Sequence, residues 1–90
     1  MEVPEYSAWE LEAKAEEQSV AREHLLKGQK LLVQGDFEGS IHENQKVLAM
    51  ATHRTPEDEA LFNLGLIYAH FGNPKRDYGK SLEFLKRLMK

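Results

Sequence analysis

The chain has 90 residues, 41% hydrophobic and 30% charged, with no cysteine and a net charge of -3. That balance is too apolar for disorder, and the length suits one small domain that buries about 60–65% of its unfolded surface. Disulfides and thiolate metal sites are excluded. So are a broad basic field for nucleic acid and any apolar run near the ~20 residues of a membrane span.

Met1–Trp9 lacks the basic start and apolar centre of a signal peptide. Pro4 is followed by Ser7-Ala8-Trp9-Glu10, a capping-box pattern that predicts a helix start at Ser7, with Glu10 reaching back. From there to Gly35 there is no proline and a single glycine, Gly28, so one helix over Ser7–Gln34 is expected, straight or mildly kinked. Its apolar stripe is thin through Tyr6, Trp9, Ala13 and Val20, and thickens at Leu25, Leu26, Leu31, Leu32 and Val33. Gly35-Asp36 predicts a left-handed stop followed by an N-cap.

A second helix is expected over Phe37–Ala51, with Phe37, Ile41, Val47 and Leu48 inward, then a loop over Thr52–Pro56. Proline and acids in Thr55-Pro56-Glu57-Asp58 suit a first helical turn. The helix that follows contains the most apolar run, Glu59–Gly72, in which Leu61, Leu64, Tyr68 and Phe71 recur at helical spacing, as do Phe62, Leu66 and Ala69. Gly65 in its middle costs about 1 kcal/mol relative to alanine, which points to another helix crossing too close for a Cβ. Gly72-Asn73-Pro74 ends it, and Asp77 is placed to cap a fourth helix over Tyr78–Lys90.

The four helices repeat. Gly28 and Gly65 lie 37 residues apart, as do Gly35 and Gly72. Asp36-Phe37-Glu38-Gly39-Ser40-Ile41 recurs 41 residues later as Asp77-Tyr78-Gly79-Lys80-Ser81-Leu82, with Asn73-Pro74-Lys75-Arg76 as the extra residues. The expected architecture is all-α: two helix–turn–helix units, about residues 21–52 and 57–90, after a helical extension over residues 1–20.

Leu61-x2-Leu64-Gly65-x2-Tyr68 and Ser81-x3-Leu85 in the second unit resemble the tetratricopeptide repeat, W-x2-L-G-x2-Y followed by A-x3-F. The first unit matches more loosely, with His24-x2-Lys27-Gly28-x2-Leu31 and Ser40-x3-Asn44. The resemblance covers about residues 21–89. It implies stacked hairpins whose first helices line a concave groove, and a function in protein–protein interaction. By helical phase that groove is expected to present Arg22, Leu25, Gln29, Leu32 and Val33 from one unit. The other unit is expected to present Glu59, Phe62, Asn63, Leu66 and His70. The resemblance assigns Asn63 to the family's asparagine that bonds a bound peptide backbone. Leu25 stands where carboxylate-clamping members carry a basic residue, so the apolar groove favours an amphipathic helix over an acidic peptide terminus. The Asn73–Arg76 insert and the basic helix after it also resemble bacterial envelope lipoproteins built from such repeats, which implies the envelope or periplasm; otherwise the cytoplasm is expected.

The competing reading is structural. Two repeats are one short of the usual minimum, so Tyr6–Val20 is read alternatively as a cap folded over one end, with Leu25, Phe62 and Leu66 buried as core by it or by a third repeat beyond Lys90. Met1–Glu23 carries seven acids and two bases, against six bases and two acids in Lys75–Lys90, a pattern expected to give weak homodimerisation. A self-associating structural element is therefore the second function class. No enzyme activity or cofactor is expected. The four histidines, His24, His42, His53 and His70, have no i,i+4 pairing, and the six glycines sit at turns and crossings rather than in a phosphate loop.

Overall fold

Helices account for nearly all of the chain in the computed structural model, which describes residues 7–50 and 54–89, and no strand occurs among those residues. In chain order they are α1 (Ala8–Val33), α2 (Phe37–Met50), α3 (Arg54–Ala69) and α4 (Tyr78–Leu88). α1 packs on α2 and α3 on α4 as two antiparallel hairpins, while α2 packs on α3 and α1 runs alongside α3. The fold is all-α, as the spacing of apolar residues predicts.

The helix ends follow local chemistry. Gly35 has φ of 83°, the only left-handed residue among those described, and the Asp36 amide donates to Leu31 O at 2.9 Å. The Gly35 amide donates to Leu32 O at 3.0 Å, which completes the closing motif that satisfies the last carbonyls of α1. Asp36 and Asp77 cap α2 and α4 alike, accepting from the amides of Gly39 at 2.8 Å and Lys80 at 3.0 Å. The expected capping box at Ser7 is absent: its hydroxyl donates to Glu10 Oε1 at 2.9 Å and does not accept from the helix backbone.

α1 is one unbroken helix of 26 residues, and its buried residues begin only at Ala21. Ala8–Val20 therefore projects as an arm past the end of α2, and the molecule is elongated at 47 × 27 × 15 Å. The cap expected to fold back over the stack does not form among the described residues, because nothing between Ser7 and Gln34 breaks the helix. α2 is described to Met50; Ala51, expected as its last residue, and Thr52 and His53 of the expected loop lie outside the described residues. Residues 54–56, also expected as loop, already belong to α3. α3 stops at Ala69, leaving Phe71 exposed in the following turn instead of in the core; α4 ends at Leu88.

The centre is α3. Leu64 and Ile67 are fully buried, as is Val47 of α2, each stabilising the fold by about 1.5–3 kcal/mol relative to exposure. Gly65 meets α4: an added Cβ would lie 2.6 Å from Leu85 Cγ and Cδ2. The Ser81 hydroxyl donates to Gly65 O at 2.6 Å, pinning the two helices at the crossing. Tyr68 and Phe84 stack beside it with ring centroids 5.8 Å apart.

The first hairpin repeats this crossing with polar residues. Gly28 faces Asn44, whose Nδ2 is 3.0 Å from where a Cβ would stand. Ser40, Glu43 and Asn44 are buried with Val47, whereas the expected inward residues Phe37, Ile41 and Leu48 are only half-buried. Glu43 accepts from His24 Nδ1 at 2.8 Å and from Lys46 Nζ at 2.9 Å. The His24 bond, then the Lys46 bond, holds its carboxyl down to about 2 against the opposing effect of burial.

The insert between α3 and α4 is organised by Asn73, which is buried. Its Nδ2 donates to Ile67 O at 3.1 Å and its Oδ1 accepts from the Lys75 amide at 2.9 Å. Lys75 pairs with Glu38 of α2, tying the insert back to the first hairpin.

Candidate functional site

α1 and α3 run side by side, and a groove opens between them. One part of it, about 350 Å³, is lined by Arg22, Leu25, Leu26, Gln29, Glu59, Phe62 and Asn63. Two further hollows adjoin it at Gln29: one lies on α1 alone, along Leu26, Lys30 and Val33, and the other dips between Leu32, Leu66 and Ile67 to reach Ser40 and Asn44. Helical spacing produces this lining, because Arg22, Leu26, Gln29 and Val33 on α1 and Glu59, Phe62, Asn63 and Leu66 on α3 recur every three or four residues.

The walls are apolar and exposed at Leu26, Val33, Phe62 and Leu66. The floor is polar. Asn44 Nδ2 donates to Ser40 O at 2.9 Å, which leaves Asn44 Oδ1 to accept from Asn63 Nδ2 at 3.1 Å. That chain orients the Asn63 amide from below, while α1 contributes Gln29 from the facing wall. At the mouth, Arg22 pairs with Glu59 across the groove at 3.4 Å. Both side chains are exposed, so the pair adds little stability and remains free to exchange partners. Ser40 Oγ is buried below the floor without a hydrogen-bond partner.

Of the ten residues expected from sequence, Arg22, Leu25, Gln29, Glu59, Phe62 and Asn63 line the space between α1 and α3, Leu32 and Leu66 line the hollow that joins it, and Val33 stands further along α1. Leu25 and His70 behave differently. Leu25 touches the groove but is only 6% exposed and packs with Ala21, Val47 and Ala60, so it belongs to the core. One residue on, the 100° turn of the helix carries Leu26 outward instead, and Leu26 takes the wall position. His70 lies past the end of α3, accepts from the Gly72 amide at 3.0 Å and stacks between Phe37 and Phe71. Phe62 and Leu66 are exposed, so Ala8–Val20 does not cover them, whereas Leu25 is buried.

Sequence reasoning missed Asn44. It stands where the second hairpin has Leu85, and it reads as a degraded core position. The signal lay in its pairing with Gly28, which leaves room for a polar side chain to reach across to Asn63.

No helix among the described residues is long and apolar enough to cross a membrane. Comparison with protein-family models, curated proteins and solved structures returns no match for the chain.

Proposed function

We propose that the chain is a tetratricopeptide-like interaction module that holds an amphipathic helix or extended peptide of a protein partner in the α1–α3 groove. One observation carries the reading: three exposed apolar side chains, Leu26, Phe62 and Leu66, flank a hydrogen-bonded Asn63 whose amide is held from beneath by Asn44. Apolar walls with a few oriented polar groups suit a ligand that buries one apolar face and offers backbone or amide groups to the floor. Two helices with short connections keep those walls fixed, so a partner does not bear the cost of ordering them.

The test uses the whole protein as bait. Partners recovered with wild type should be lost with Phe62→Glu or Leu66→Glu, and weakened with Asn63→Ala, while circular dichroism stays unchanged. Undiminished capture by the folded charge variants would show that the groove is not the binding surface.

A further inference from the structure

The outer face of α4 is apolar and uncovered. Tyr78, Leu82 and Met89 are 62%, 53% and 84% exposed and line one side of the helix at positions i, i+4 and i+11. In the first hairpin the same positions are Phe37, Ile41 and Leu48, all half-buried, and α3 with the turn after it packs along that side. Phe37 rests on His70 with ring centroids 5.1 Å apart, and Leu48 packs on the cluster containing Ala60. The stripe on α4 is therefore the seat of a helix, and within one copy that seat is empty.

The opposite end of the stack is not its complement. In repeat register, the α3 residues Ala60, Leu64 and Ile67 correspond to Glu23, Lys27 and Lys30 of α1, all exposed and charged. Simple head-to-tail continuation of the repeats would set these charges against an apolar face.

The arm of α1 fits better. Trp9, Ala13 and Val20 lie on one face with the same i, i+4, i+11 spacing, all exposed, and Glu12 and Glu16 border them. Ala8–Val20 carries four glutamates against one lysine, while Lys75–Met89 carries five bases against two acids, with Lys86 beside the α4 stripe. We infer that the chain self-associates through this pair: the acidic arm of α1 in one copy lies on the basic, apolar outer face of α4 in a second copy. A two-fold pair makes the contact twice and closes, so every such arm and every such seat is filled. The α1–α3 groove is not part of this contact and stays open in the pair.

The chain has no cysteine, which makes the contact directly testable. Ala13→Cys and Leu82→Cys stand at the second position of each stripe, directly opposite where the helices run parallel and within about one helical turn where they run antiparallel. Under mild oxidation at low salt, a mixture of the two single variants should give the mixed disulfide in clear excess over either homodisulfide. Sedimentation equilibrium should show a dimer that weakens several-fold as salt rises, because screening shortens from about 30 Å at 0.01 M to about 3 Å at 1 M. Glu16→Lys and Lys86→Glu should each be monomeric alone, yet associate when mixed, since both contacts in the mixed pair again join opposite charges. A monomer at low salt overturns the proposal and leaves the α4 stripe to a different partner. Homodisulfides of Leu82→Cys in excess overturn it too, by placing α4 against α4.

Discussion

Gly65→Ala isolates the crossing of α3 and α4. The new methyl would stand 2.6 Å from Leu85 Cγ and Cδ2 and 3.3 Å from Cδ1, where carbon atoms prefer about 3.5–4.0 Å. Relief requires about 1 Å of movement. Leu85 Cγ cannot swing away like the tip of a long side chain, and the 2.6 Å bond from Ser81 Oγ to Gly65 O holds the two backbones together. Overpacking of this kind costs about 1–3 kcal/mol. Alanine regains about 0.8–1.0 kcal/mol of helix propensity. The net loss should be about 1 kcal/mol, or about 4–8 °C in Tm for a domain of this size. The diagnostic is a reversal of sign. In a Leu85→Ala background the added methyl has room, so Gly65→Ala should stabilise by about 0.8–1.0 kcal/mol. Thermal and urea unfolding of the four proteins measure both values. A raised midpoint for Gly65→Ala in the wild-type background would refute the tight crossing.

Three other perturbations follow from named contacts. Glu43 is ionised in the fold down to about pH 2, against 4.5 for the unfolded group, so its stabilisation is complete above about pH 4.5. It is lost as pH falls from there toward 2; an acid titration of Glu43→Gln should be flatter in that window, with stability at pH 7 lower by about 1.5–3 kcal/mol. Asn73→Ala should cost about 1–3 kcal/mol by removing the bonds that its buried side chain makes to the Ile67 carbonyl and the Lys75 amide, read as a lower urea midpoint at constant slope. Asn44→Leu should leave stability unchanged or raised, since Leu85 already packs against the equivalent glycine, while loosening Asn63; partner binding in the groove should then weaken in a calorimetric titration.

Features decided within a few residues were legible in the sequence. Gly35 had to be left-handed, Asp36 and Asp77 had to cap, and Gly65 had to mark a close approach, because each follows from backbone chemistry that no distant contact reverses. The groove was legible to within one residue on α1. Leu25 and Leu26 are both leucine, and only the direction from which α2 packs decides which one is buried. His70 and Phe71 were read as helix because their spacing continued that of Leu64 and Tyr68. The helix had already ended, since the buried Asn73 claims the Ile67 carbonyl and redirects the chain. The continuity of α1 was legible too: fold-back needs a breaker, and a stretch rich in alanine and glutamate continues the helix instead.

The two hairpins differ in a way that bears on function. At equivalent positions the second has Phe84 and Leu85, and the first has Glu43 and Asn44. A polar pair in a buried seam is a poor choice for stability alone, since each group must find partners or lose its hydration without return. Both groups find them. Glu43 takes His24 and Lys46 on the side where α1 meets α2, and Asn44 spends its amide on Ser40 O and on Asn63. The second hairpin, with aromatic stacking and a leucine against its glycine, supplies the apolar core that lets the first tolerate this. What the first hairpin gains is a polar group that reaches from the seam to the groove floor without exposing a helix backbone. A leucine there would serve packing equally well and would leave Asn63 unsupported. The departure from the repeat pattern at Asn44 places a polar group directly beneath the groove that the proposed partner would occupy.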